Sequence, residues 1–509
     1  MQAPKPAPSA NTLASSQNST SGGSTRFAMV VVTSLFFMWG FITVLNDILV
    51  PDLKSIFDMN YTEVMLIQFA FFSAYFIFSI PSAKLIDSIG YKRTMVVGLL
   101  TMGAGALLFI PAASVPSYPL FLTALMILAA GITALQVAAN PYVAVLGPPR
   151  TASSRLNLTQ AFNSLGTTIG PYLGGLFILS AAPQSMEVVR RMGASALQSY
   201  RVHEAASVKV PYLIIGLVLI LLAGAIALCN LPAMPEAERH SATASSKSVL
   251  KYRHLVLGAV AIFVYVGAEV SIGSFLVNYF SQPDIGNFTE QTAARFVSLY
   301  WGGAMLGRFI GSALLNSIRT IHAALYLAIS AVVLILSYSL PGHPVVDSSP
   351  HLAAFLSGLA AFLVFVRPLV EFCVGVFVIL LVASAAKGGR VSVGTGQLLG
   401  LCGLCAAALV CTSMLTTGQF AMWSIIFVGL FNSIMFPSIF TLGIAKLGPL
   451  TGDGSGVLVM AIVGGAILPV VQGTLADHLG VHHAFILPVL CYIYIVYYAL
   501  KGSKPVEPA

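Results

Sequence analysis

Apolar side chains fall in long runs separated by short polar turns. In the first half the runs cover about 27–50, 64–86, 94–112, 120–146, 155–180 and 209–231. A polar stretch at 232–253 follows, with Pro232, Pro235, Glu236, Glu238, Arg239, Lys247, Lys251 and Arg253. The second half continues with 254–280, 292–316, 321–340, 352–366, 369–386, 397–417, 420–445, 455–475 and 484–500. At about 1.5 Å per residue, the longer runs reach across a hydrocarbon core of about 30 Å as helices. None alternates apolar and polar residues as a membrane β-barrel strand would. The pattern predicts an all-α integral membrane protein, with two six-helix bundles and about two extra helices in the second half.

The predicted organisation is a disordered cytoplasmic tail at 1–26, a first bundle at 27–231 and a cytoplasmic linker at 232–253. A second bundle at 254–500 includes an insertion at 321–386, and a short cytoplasmic tail covers 501–509. No cleavable signal peptide is visible, because residues 1–25 hold almost no bulky apolar side chains. Arg319 precedes the insertion and Lys387 and Arg390 follow it, so basic residues put both ends on one side. An even number of crossings follows, giving about 14 spans.

Composition agrees with this plan. Of 509 residues, 57% are hydrophobic and 8% charged, against about 25% charged in a soluble domain. The net charge of +8 comes from bases at the ends of apolar runs, which orient a chain in the membrane; it is no nucleic-acid footprint. With both termini inside, most of the 25 Lys and Arg face the cytoplasm. The exceptions are Lys54, Arg190, Arg191, Arg201, Lys209 and Arg295. The expected place is the inner membrane, with a lipid bilayer, a small solute and a proton as partners and the monomer as the working unit. Cys229, Cys373, Cys402, Cys405, Cys411 and Cys491 lie in or beside apolar runs and read as packing residues. No cofactor or metal is expected.

The turn after the second run reads Ala83-Lys84-Leu85-Ile86-Asp87-Ser88-Ile89-Gly90-Tyr91-Lys92-Arg93. It resembles the G-x-L-x-D-R-x-G-R-R signature of the major facilitator superfamily, with Ala83 and Ser88 departing from it. Asp87 can cap a helix or pair with a base, Gly90 permits a tight turn, and Lys92 and Arg93 hold the loop inside. An equivalent second-half loop is expected to begin at Gly307-Arg308. Gly170, Gly174, Gly175, Gly464 and Gly465 read as seams where helices approach closely.

The polar residues inside apolar runs are the candidate chemistry. Trp39, Thr43 and Asp47 are spaced by four and share one helical stripe. A carboxylate at membrane depth costs several kcal/mol, which makes Asp47 a functional residue by default. Gln136 and Asn140 pair on the fourth helix, and Gln160 and Asn163 on the fifth. Glu269, Asn278 and Tyr279 lie on the seventh, Asn432 on the tenth core helix and Gln472 on the eleventh. Amides donate and accept, so they match sugar hydroxyls, and an aromatic plane such as Trp39 suits the apolar face of a pyranose. Each amide taken singly also fits interhelical glue.

The strings FFMWGFITVLNDILVPDLK, ALQVAANPYVAVLGP, SRLNLTQAFNSLGTTIGP, YWGGAMLGRFIGSAL and VGLFNSIMFPSIFTLGI resemble the fucose/proton symporter family, in particular its bacterial glucose/galactose branch. The resemblance covers most of 27–316 and 397–500. It implies a proton-linked aspartate at Asp47, a cavity tryptophan at Trp39 and sugar contacts at Gln160 and Asn163. Gln136 stands where the fucose branch has glutamate, and Val44 where it has asparagine. Both departures argue for a glucose- or galactose-type hexose. Glu269 is a second proton site or a sugar contact, and Asn140, Asn278 and Asn432 are further sugar contacts. An uncoupled sugar facilitator and a drug/proton antiporter of the same fold remain the alternatives. An enzyme would need a nucleophile with its base, or a metal cluster, at membrane depth. His478, His482 and His483 fall instead in a predicted external loop.

Overall fold

The computed structural model describes residues 25–43, 61–114, 117–177, 209–232, 249–316 and 393–505, with a few short pieces between them. The helices are α1 (Thr25–Thr43), α2 (Tyr61–Ser114), α3 (Tyr118–Val145), α4 (Ala152–Phe177) and α5 (Lys209–Leu228). The second half supplies α6 (Arg253–Phe280), α7 (Glu290–Leu315), α8 (Thr395–Leu415), α9 (Gly418–Asn432) and α10 (Met435–Gly443). It ends with α11 (Thr451–Met460), α12 (Gly464–Leu479), α13 (Val481–Ala484) and α14 (Ile486–Tyr497). Among the described residues, nine helical spans are long and apolar enough to cross a membrane. The expected all-helical membrane fold is what forms.

α2 is two helices joined at Gly90, whose φ of 82° and ψ of 165° break the run. A side chain there would be strained, so glycine sets the corner. The next corner is made by an arginine. Arg155, in the first turn of α4, donates from Nε to the Val143 carbonyl at 3.1 Å and from Nη2 to the Ala144 carbonyl at 2.6 Å. Its Nη1 reaches the Pro148 carbonyl at 3.0 Å. The last carbonyls of α3 lack helical partners, and this one guanidinium supplies them.

The helices pack as two units. The first comprises Met1–Ala268, Phe436–Val471 and Lys501–Ala509, and the second Glu269–Met435 and Gln472–Leu500. In the first unit α1 and α4 touch backbone to backbone. A Cβ at Gly40 would run into the Asn163 carbonyl, and one at Gly166 into the Phe37 carbonyl. The seam on α4 therefore includes Gly166, one turn before the Gly170 that the sequence suggested. In the second unit Gly303 and Gly307 of α7 lie against Leu430 and Ser433.

Two short strands complete the second half. β1 (Ile318–Arg319) pairs antiparallel with β2 (Arg390–Val391), Ile318 opposite Val391 and Arg319 opposite Arg390. The chain thus returns to the spot it left. Most of the 321–386 insertion lies outside the described residues, as does most of the 232–253 linker.

Replacing Gly166 by Val should force α1 and α4 apart, with a loss of about 1–3 kcal/mol typical of overpacking. The expected result is a lower unfolding midpoint in detergent. Gly302→Ala, which opens onto empty space, should leave the midpoint unchanged.

Candidate functional site

In the first unit the predicted amides come together on α1, α3 and α4. Gln136 and Asn140 are one turn apart on α3 and both are buried. Gln136 Nε2 donates to the Tyr75 hydroxyl at 2.9 Å. Gln160 Nε2 of α4 donates to Asn140 Oδ1 at 3.4 Å. Asn163 Nδ2 donates to the Phe36 carbonyl of α1 at 2.9 Å, which ties α4 to α1. Trp39, 8% exposed, packs on Phe36 with ring centroids 5.3 Å apart. The Thr43 hydroxyl bonds back to the Trp39 carbonyl at 2.9 Å. One donor is left over: Asn140 Nδ2 is buried and has no partner among the described residues. Asp47 lies outside the described residues, four positions beyond the end of α1.

A second polar group forms in the second unit. Asn432 Nδ2 donates to the Tyr300 hydroxyl at 2.8 Å. That hydroxyl in turn reaches the backbone carbonyl of Glu269 at 3.5 Å. Asn432, Tyr300 and Tyr492 are all fully buried, and Glu269 is half-buried. The Tyr492 hydroxyl lies beside Asn432 and within electrostatic reach of Glu269. Neither the Tyr492 hydroxyl nor Asn432 Oδ1 makes a hydrogen bond of standard geometry among the described residues. Asn278 does not join this group. It is exposed and sits nine residues, about 13.5 Å of helix rise, beyond Glu269. Its neighbour Tyr279 is the buried one, bonded to Ser413 at 2.8 Å and ringed by His482.

Tyr75, Tyr300 and Tyr492 were not among the candidates read from the sequence. Nothing distinguishes them there from the other tyrosines of apolar runs. They matter because folding brings their hydroxyls to buried amides. Among the described residues the histidines do not assemble a reactive centre: His482 Nε2 meets the Ser413 carbonyl at 2.7 Å, and Nδ1 faces Asp284 at 3.8 Å.

The turn residues of the first unit gather around α11. Asp87 lies beside the N-terminus of α11: its Oδ1 is 3.7 Å from where a Gly452 Cβ would stand. The exposed amides of a helix start attract a carboxylate. Asp453, in the same helical turn, is within electrostatic reach of both Asp87 and Lys84. One turn further along α11, Ser455 donates to the Val137 carbonyl beside Gln136 at 2.8 Å; elsewhere in the unit the Ser153 and Thr441 hydroxyls meet at 2.5 Å. These contacts join first-half helices to second-half helices. Lys92 Nζ donates to the Ala227 carbonyl at 2.8 Å, on the last turn of α5. Arg93 is exposed. The second-half counterpart differs from expectation. Gly307 and Arg308 lie within α7, not in a loop, because a close helix crossing needs Gly307 where it is. Arg308 Nε donates to the Ser433 carbonyl at 3.1 Å, at the break between α9 and α10.

Membrane-spanning helices in two halves, amides turned inward and a glycine-cornered acidic turn describe a secondary transporter. Residues 28–396 match the family model of the Major Facilitator Superfamily. The chain belongs to that superfamily. It is 45% identical, over 94% of its own length and 94% of the relative's, to the glucose/galactose transporter of Brucella abortus. It is 33% identical to the L-fucose-proton symporter of Escherichia coli K12, over 93% of this chain and 92% of that one. The crystal structure of FucP, a Major Facilitator Superfamily transporter in the outward conformation, is similar with a TM-score of 0.74 and 30% identity. That match covers 94% of this chain and 100% of that one. The resemblance drawn from the motifs is borne out.

If Asp87 helps hold α11 against the turn, Asp87→Asn should weaken that contact by about 0.3–1 kcal/mol, roughly two- to five-fold. Maleimide labelling of a Ser153→Cys variant in detergent, where Ser153 is buried against Thr441, should speed up by that factor. The half-buried native Cys229, Cys405 and Cys411 set the background to subtract.

Proposed function

We propose that this chain is a secondary active transporter that imports a neutral glucose- or galactose-type hexose together with a proton. The observation that carries this reading is the buried amide chain of the first unit. Gln160 is bonded to Asn140, Asn140 keeps an N–H without a partner among the described residues, and Trp39 and Asn163 lie on the neighbouring helices. A spare buried donor is costly unless a ligand accepts from it, and neutral carboxamides favour an uncharged hydroxylated solute. The names of the two relatives, a glucose/galactose transporter and an L-fucose-proton symporter, support the same substrate class and coupling ion.

In this mechanism Asp47 carries the proton. Protonation removes the charge that a closed, water-poor cavity would penalise, so sugar and proton load together. Opening to the cytoplasm rehydrates the carboxyl and releases the proton. One charge crossing 100 mV supplies about 2.3 kcal/mol, enough for accumulation of some tens-fold at ~1.4 kcal/mol per tenfold. Glu269, backed by Tyr300, Asn432 and Tyr492, is the second acidic group and either titrates or meets the sugar. The contacts around Asp87 and α11 form the gate that breaks in each cycle. Both termini and the 232–253 linker face the cytoplasm, on the inner side of the cell membrane, and the monomer is the transporting unit.

The test is uptake of labelled glucose, galactose and fucose into proteoliposomes, with and without an acid-outside gradient. Glucose or galactose should accumulate only with the gradient, and fucose poorly. Asp47→Asn should abolish accumulation yet keep counterflow, whereas Gln160→Leu should lower kcat/KM about tenfold, one lost hydrogen bond's worth. Unchanged accumulation by Asp47→Asn would remove that residue from the mechanism, and gradient-independent equilibration by the parent protein would make it a facilitator.

A further inference from the structure

α6 and α12 meet at matched positions along their contact. Gly464 stands against the backbone of Phe263, and Gly267 against the side chain of Leu468. One turn further along the same two faces come Ser271 and Gln472. Gly473 then lies beside the Phe275 ring. Ser271 and Gln472 are each 0% exposed. Among the described residues Ser271 Oγ, Gln472 Oε1 and Gln472 Nε2 all have no hydrogen-bond partner.

Apart from Ser438 of α10, which also lacks a partner among the described residues, many buried helical hydroxyls bond back to a carbonyl of their own helix. Ser79, Thr133 and Thr441 do so at 2.5–2.9 Å. Ser271 does not. Buried polar atoms without partners are destabilising, and apolar side chains of similar shape would avoid that. Three such atoms at one level of one seam therefore point to a guest. Its chemistry follows from the atoms waiting for it. An amide N–H repels a cation and an amide oxygen repels an anion, while Ser271 can give or take. A group that both donates and accepts satisfies all three.

We propose that Ser271 and Gln472 form a hydroxyl-binding site inside the second half, two residues along α6 from Glu269. The hydroxyl comes from the transported sugar or from a bound water. The sugar source rests on the hexose reading above; the water source does not.

The experiment compares the full-length parent with Gln472→Leu and Ser271→Ala in two measurements. One is the unfolding midpoint in detergent without sugar. The other is counterflow KM for glucose and for each of its monodeoxy analogues. A sugar hydroxyl predicts that Gln472→Leu raises the glucose KM about tenfold, the equivalent of ~1.4 kcal/mol. One deoxy analogue would then have the same KM in parent and variant. A water predicts that both variants melt lower than the parent without sugar, with the KM values of all sugars moving together or not at all. The proposal is overturned if both variants melt at or above the parent and every KM stays within about twofold, since that is how a dry seam with spare polar atoms behaves. If the parent exchanges no hexose, the transport reading fails and the melting comparison alone decides the water site.

Discussion

The hydrocarbon core of a membrane offers no water to bond, and the buried polar groups among the described residues are arranged around that fact. Backbone amides and carbonyls must be satisfied within the protein, so the spans are helices. Where a helix ends, something must replace the missing turn. Arg155 does this for α3 by spending its guanidinium on the Val143, Ala144 and Pro148 carbonyls. Buried serine and threonine hydroxyls mostly fold back onto their own helix carbonyls. Helices then approach through glycines such as Gly40 and Gly166, where packing contacts replace the hydrophobic drive that lipid cannot supply.

Against this background the amides of the helices divide into two kinds. Asn163 is committed: its Nδ2 is bonded to the Phe36 carbonyl, so it fixes α4 on α1. Gln136 is likewise held by Tyr75. Among the described residues Asn140 keeps an unpaired buried donor, and Asn432 an unpaired buried acceptor. A wholly structural network would close such gaps, because each unmet bond costs about 1–3 kcal/mol.

In the proposed mechanism the contacts near Gly90 are the gate, and a transporter must break and remake its gate in every cycle. A buried ion pair would be a poor choice, as breaking one costs about 3–5 kcal/mol. A carboxylate facing a helix start is worth about 0.3–1 kcal/mol at an exposed site and up to about 2 when partly buried. Half-buried Asp87 beside α11 falls in that weaker range, as do the single hydrogen bonds of Ser455 and of Ser153 with Thr441. Several weak contacts can hold a conformation without trapping it.

The apolar runs and the chemistry of glycine were legible in the sequence, because burial in lipid and a φ of 82° at Gly90 act on each residue locally. The same is true of the amide pairs, whose spacing already placed Gln136 with Asn140 and Gln160 with Asn163 on single helix faces. The sequence could not show which of them would be used up. That depends on partners far along the chain: Tyr75 for Gln136, Phe36 for Asn163, Tyr300 for Asn432. Nor could it show that Arg308 lies inside α7 at the α9–α10 break, or that Asn278 faces outward while Tyr279 is buried. Periodicity decides which side chains share a face; only the packing of helix against helix decides what that face meets.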